Sequence, residues 1–129
     1  MIRFLTLAEV LIIYEDQIRH YGGAYGVRDM NLLQSAVYMP QASFEGRYLH
    51  ESIPQMAAAY AYHLCENHAL IDGNKRVTLA ATLVFLDLNG FEFDSSEEEI
   101  YEVMMAVASG TMDKPALTAV FERCAKETI

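Results

Sequence analysis

The sequence predicts an all-α protein, a compact bundle of six helices that forms a single domain over residues 1–129. Three observations support this prediction. Apolar residues recur at helical spacing along most of the chain, helix-start signals precede most of these stretches, and the segment from Val77 to Leu88 is apolar enough for the centre of a bundle. No repeat, low-complexity tract or linker divides the chain, so we expect one core that buries about two thirds of the unfolded surface.

Three helices are predicted in the first half of the chain. Thr6 and Glu9 form a capping box that opens the first helix, and Gly22-Gly23 ends it. Pro40 ends the second helix, and the third is rich in alanine, which lets a neighbouring backbone come close. The predicted limits are Thr6 to Gly22, about Asp29 to Tyr38, and Ser52 to about Asn67.

The second half of the chain predicts three more helices. The fourth, from about Gly73 to Asn89, is apolar on nearly every face, which is typical of a helix surrounded by others. Either Ser95 or Ser96, followed by a run of glutamates, opens the fifth, and Asp113 opens the sixth.

The helical pattern lapses between the second and third helices. The aromatic and glycine content of the segment Phe44 to Leu49 suits an extended hairpin. An ordinary surface loop whose aromatic side chains cover the core is equally compatible with these residues.

Composition excludes several classes of partner. Nine basic against 18 acidic residues give a net charge of −9, which disfavours direct binding to nucleic acid. No run approaches the roughly 18 uncharged residues needed to span a bilayer, and Glu9 interrupts the apolar start, so we expect neither membrane insertion nor a signal peptide. Cys65 and Cys124 are predicted to be buried, reduced thiols of a cytoplasmic protein.

The densest group of chemically active residues lies between residues 67 and 76, immediately before the apolar fourth helix. A helix that begins near Asp72 or Gly73 leaves its first N–H groups unpaired and places the positive end of its dipole there. Such a helix start binds anions, and Gly73 has no Cβ to obstruct a phosphate. The candidate site residues are His68, Asp72, Gly73, Asn74, Lys75 and Arg76.

Each of these side chains suits a task at an anion site. Asn74 can donate an amide hydrogen bond, while Lys75 and Arg76 can neutralise a phosphate. Cations in the first turn oppose the helix dipole, so two of them indicate that a bound anion is expected. Asp72 can cap the helix, bind magnesium, or do both, and His68 is placed to take a proton.

This run resembles the core motif of the Fic/Doc superfamily, and Gly26-Val27-Arg28-Asp29 extends the likeness. Ala69 and Leu70 stand where the commoner motif has proline and phenylalanine, a departure that changes packing rather than chemistry. Lys75 stands where the Fic branch has glycine, and Leu79 where that branch has a second arginine. These two positions favour the Doc branch, the death-on-curing toxins of bacterial toxin–antitoxin pairs.

The resemblance implies a Fic/Doc-type bundle with a central apolar helix and a short flap that pairs with a target peptide. It implies a protein kinase that transfers the gamma-phosphoryl group of ATP to a threonine of elongation factor Tu and so blocks translation. His68 would be the base, Asp72 the Mg²⁺ ligand, and Gly73 to Arg76 the phosphate cradle. The resemblance also implies a cognate antitoxin as a partner.

Two alternatives remain open at this stage. One is Fic-type transfer of AMP to a protein hydroxyl, which uses the same base and cradle with the nucleotide reversed. The other is a non-enzymatic helical protein-binding module whose anion site is vestigial.

Overall fold

Six α-helices account for most of residues 1–128, the part of the chain that this computed structural model describes. Two pairs of short strands and one 3₁₀ turn, Met39–Gln41, connect or flank the helices. The helices are α1 (Leu7–Tyr21), α2 (Met30–Tyr38), α3 (Ile53–Glu66), α4 (Asn74–Leu88), α5 (Glu97–Ala108) and α6 (Lys114–Cys124). The strands are β1 (Ser43–Phe44), β2 (Arg47–Tyr48), β3 (Phe91–Phe93) and β4 (Ala125–Glu127). The all-α prediction is therefore confirmed.

Five of these helices begin at a side-chain N-cap. The capping box at Thr6 is present in full, and Ser96 rather than Ser95 caps α5. The remaining caps are Asp29 for α2, Ser52 for α3 and Asp113 for α6. Each cap oxygen accepts a hydrogen bond from a first-turn amide, which contributes roughly 1 kcal/mol of stability.

The fourth helix, α4, packs most extensively against α3, and it also touches α1, α5 and β3. Helix α3 is the more buried of the two, with eight buried residues against six in α4. The alanines of α3 from Ala57 to Ala61 are fully buried, so the backbones of α3 and α4 approach closely. Two threonines of α4, Thr78 and Thr82, are buried because each donates its hydroxyl to the carbonyl four residues earlier.

Two antiparallel strand pairs complete the fold. Strands β1 and β2 form the predicted hairpin, with Ser43 opposite Tyr48, and we call residues 43–48 the flap. Strand β3 pairs with β4 at the end of the described chain, with Phe93 opposite Ala125. No pattern in the sequence predicts this second pair, because its strands are three residues long and α5 and α6 separate them. Among residues 1–128, no helix is long and apolar enough to cross a membrane.

A polar cluster of three side chains joins the base of the flap to the helices. The Lys114 ammonium group lies 2.9 Å from Nε2 of His50 and 2.9 Å from Nε2 of His63. Since an ammonium group only donates, each of these imidazole nitrogens is an acceptor and both rings are neutral. Burial, followed by the charge of Lys114 and then His50, lowers the pKa of His63 to about 4.

This cluster predicts that stability falls as the pH drops from about 6.5 to about 4. In that range His63 binds a proton in the unfolded chain, where its pKa is 6.5, but not in the folded chain, where its pKa is about 4. His50, whose pKa burial also lowers, adds to the effect. We expect His63→Gln to flatten the pH dependence of the free energy of unfolding, measured with urea.

His20→Gln is the control for this experiment, because His20 is exposed on α1. Glu9 does not interfere above pH 4.5, since the hydrogen bond from Arg3 lowers its pKa to about 2 and its stabilising effect is lost only below pH 4.5. Parallel pH curves for the wild-type protein and His63→Gln would contradict the prediction.

Candidate active site

A cavity of about 370 Å³ lies beside the start of α4. It is lined by all six residues that the sequence singles out, together with Cys65, Ile71 and Ala108. The six predicted residues are His68, Asp72, Gly73, Asn74, Lys75 and Arg76. They are consecutive or nearly so along the chain, and the turn into α4 directs all of them to one cavity.

Within residues 1–128, α4 is the one α-helix whose N-terminus has no side-chain cap. Gly73 occupies the cap position in a left-handed conformation, with φ of 77°. A Cβ at Gly73 would lie 3.3 Å from Nη2 of Arg76, so glycine also leaves room for the Arg76 guanidinium group. Of the two roles that the sequence left open for Asp72, the structure therefore excludes the N-cap. The uncapped helix start and the two cations Lys75 and Arg76 line the same cavity, which is the chemistry of a phosphate site.

Asp72 is held between two backbone amides. Its Oδ1 accepts from the Gly73 N–H at 2.8 Å, and its Oδ2 accepts from the Ala24 N–H at 3.3 Å. Among residues 1–128, no three acidic, histidine or cysteine side chains cluster closely enough to hold a metal ion. Mg²⁺ is typically held by one or two carboxylates together with phosphate oxygens and water, and a single carboxylate beside a phosphate site fits that pattern.

Asn74 and Arg76 both contact the backbone as well as the cavity. We call residues 67–73, between α3 and α4, the motif loop. The Asn74 side-chain amide closes this loop, since it accepts from the Leu70 N–H at 3.1 Å and donates to the Leu70 carbonyl at 2.9 Å. That leaves one side-chain N–H, besides the backbone amide, for the predicted phosphate contact. Nη2 of Arg76 donates to the carbonyl of Gly22 at 2.8 Å.

His68 has a strained backbone. Its φ of 46° lies in the left-handed region, which costs a non-glycine residue about 1–3 kcal/mol. The neighbours on both sides hold it there: the Asn67 side chain donates to the Leu32 carbonyl, and the Ala69 carbonyl accepts from the N–H groups of Arg28 and Asp29. The His68 side chain is exposed at the cavity, where it can reach a substrate.

A family model described as the Fic/DOC family matches residues 4–86, which is well over half of the chain. The chain belongs to the Fic/DOC family. This match includes the whole motif loop and nearly all of α4.

Two curated proteins are similar to this family member. Toxin Doc of Mycolicibacterium smegmatis is 38% identical over 101 residues, which cover 77% of this chain and 78% of that protein. Protein kinase doc of Escherichia phage P1 is 26% identical over 125 residues, which cover 94% of each chain. Both relatives carry the Doc name, so the protein belongs to the Doc branch, as Lys75 and Leu79 predict.

Several residues that shape the site of this Doc protein were not predicted. The segment before α2 pairs with the motif loop, with Val27 opposite Leu70 and the Ile71 N–H donating to the Gly26 carbonyl at 2.9 Å. Buried Tyr14 fixes that segment, because its hydroxyl accepts from the Gly26 N–H at 2.8 Å and donates to the carbonyls of residues 24 and 26. Nothing in the sequence distinguishes Tyr14 from its apolar neighbours in the buried stripe of α1.

We predict that Tyr14→Phe destabilises the protein by about 1–3 kcal/mol, because it leaves the part-buried Gly26 amide without its acceptor. Urea denaturation measures this change. Tyr21→Phe is the matched control, since Tyr21 lies on the same helix and is 70% exposed. Equal stabilities of the two variants would show that the Tyr14 hydroxyl does not hold the segment.

Proposed function

We propose that this protein is the toxin of a bacterial toxin–antitoxin pair and acts as a protein kinase. It would transfer the gamma-phosphoryl group of ATP to a threonine hydroxyl of elongation factor Tu in the cytoplasm, which would block translation, and a cognate antitoxin would restrain it. The Doc family supports this proposal, as do the names of the two relatives, one a toxin and the other a protein kinase.

One structural observation carries the enzymatic part of the proposal. The uncapped start of α4, the cations Lys75 and Arg76, the carboxylate of Asp72 and the imidazole of His68 share one cavity. This combination provides a place for phosphates, a magnesium ligand and a base within reach of one another. Positioning and charge stabilisation are the main requirements of phosphoryl transfer.

Each residue then has one task in the reaction. His68 removes the proton from the acceptor hydroxyl as the new oxygen–phosphorus bond forms and the bond to the leaving ADP breaks. Asp72 would hold Mg²⁺, which would supply positive charge to the phosphates. Lys75, Arg76 and the first-turn amides of α4, including that of Asn74, hold the phosphates.

The flap is suited to hold the protein substrate. Its strands pair only with each other among residues 1–128, and both are exposed. Phe44 is 69% exposed and Tyr48 is 45% exposed, so an extended peptide adding to this edge meets aromatic side chains. We propose that the acceptor segment binds along this edge.

Lys75 favours the kinase over transfer of AMP. In the Fic branch, glycine stands at this position of the phosphate cradle. Lysine adds bulk and charge beside the backbone amides there, so a donor nucleotide that fits beside glycine is displaced or turned around. Leu79 supports this choice, because it supplies no second arginine for the Fic arrangement.

The decisive experiment incubates the purified chain with elongation factor Tu and ATP labelled at either the alpha or the gamma phosphorus. We expect the gamma label alone to appear on elongation factor Tu. Transfer of the alpha label would instead establish AMP transfer, with the same base and cradle. No binding of ATP would favour the non-enzymatic protein-binding module.

His68→Ala should lower turnover by roughly 100- to 10,000-fold, the usual effect of losing a general base, while ATP binding stays nearly unchanged. Growth arrest on expression should disappear together with the transferred label. His20→Ala is the control, because that imidazole is exposed on α1 and does not line the cavity. Full toxicity of a well-expressed His68→Ala variant would remove this residue from the mechanism.

A further inference from the structure

The turn between α1 and α2 lies against the candidate active site. We propose that Gly23 is a positioning residue, whose lack of a side chain lets Asp72 and Arg76 take the places they need for magnesium and nucleotide phosphate. This inference rests on the proposed function, because it concerns how the site binds ATP with Mg²⁺. It extends the site to a turn that the sequence indicates only as the end of α1.

The two residues that flank Gly23 contact the two charged side chains through their backbones. The Gly22 carbonyl accepts from Nη2 of Arg76 at 2.8 Å, and the Ala24 N–H donates to Oδ2 of Asp72 at 3.3 Å. The turn therefore supplies an acceptor to the cation and a donor to the carboxylate, and Gly23 lies between these two contacts.

Gly23 is where the turn and the charged groups come closest. A Cβ at this position would lie 2.7 Å from Oδ2 of Asp72 and 3.2 Å from Nη2 of Arg76. The first distance is shorter than real Cβ contacts, so any side chain at residue 23 must displace the Asp72 carboxylate.

The turn itself cannot easily retreat, because contacts to α1 hold both of its ends. The Gly22 N–H donates to the Ile18 carbonyl at 2.8 Å, and the Tyr14 hydroxyl reaches the Ala24 carbonyl at 3.2 Å. An alanine at position 23 would thus push the metal ligand rather than the turn. Magnesium-dependent binding is the property that should respond most.

Gly90 provides the comparison that separates this contact from backbone strain. Both glycines have positive φ, 77° at Gly90 and 110° at Gly23, so alanine is strained at either position. A Cβ at Gly90, however, would meet no atom within 4 Å, and Gly90 follows the end of α4 that is remote from the cavity. The two alanine variants therefore share the strain, and only one of them touches Asp72.

The experiment measures ATP affinity by calorimetry, with MgCl₂ and with EDTA, for the wild-type protein, Gly23→Ala and Gly90→Ala. Thermal melts establish that each chain is folded. We expect Gly23→Ala to lose roughly 10- to 100-fold of the affinity gain that magnesium provides, the usual effect of disturbing a partner of a metal ligand. Gly90→Ala should retain most of that gain.

Equal magnesium gains in the two variants would overturn the role of Gly23 while leaving the proposed function intact. Absence of ATP binding by the wild-type protein would overturn the proposed function and this inference with it.

If Gly23→Ala does not fold, NMR of the wild-type protein tests whether the turn responds to magnesium at Asp72. The Ala24 amide resonance should shift on addition of ATP with magnesium but not of ATP with EDTA, and an unmoved resonance would overturn the inference.

Discussion

The main-chain pairing between residues 26–29 and residues 69–71 sets the position of every charged group at the site. Ala69 and Ile71 are hydrogen-bonded to this segment on either side of the Val27–Leu70 bridge. His68 therefore lies immediately before the paired residues 69–71, and Asp72 and the start of α4 lie immediately after them. Since the buried Tyr14 anchors the same segment to α1, the geometry of the site depends on a helix that contributes no charged group to the cavity.

The site is built at the expense of local stability. Five helices gain roughly 1 kcal/mol from a side-chain cap, and α4 forgoes that gain because a capping side chain would occupy the amides that a phosphate needs. His68 adds the cost of a left-handed conformation. The extensive packing of α4 against α3 offsets both costs.

Local chemistry made most of the fold predictable. The caps at Thr6, Ser52 and Asp113 depend on neighbours within three residues, so the sequence shows them directly. The β3–β4 pair, the Tyr14 contacts and the closeness of Gly23 to Asp72 join residues far apart in sequence, and no local pattern encodes them. At Asp72 the local rule failed: an aspartate before a helix is usually its cap, but here the left-handed Gly73 takes that position.

Helix α3 connects His68, the proposed base, with the flap, the proposed substrate-binding edge. Its last residues lead through Asn67 into His68, and its last turn carries His63, which shares Lys114 with His50 at the base of the flap. The proposed substrate-binding edge and the proposed base are therefore both positioned by α3, rather than by two separate loops. Lys114 bonds to both imidazoles only while they are neutral, so the connection between the flap and α3 weakens when either histidine is protonated. The pairing that holds His68 does not depend on protonation in this way, because it consists of backbone hydrogen bonds.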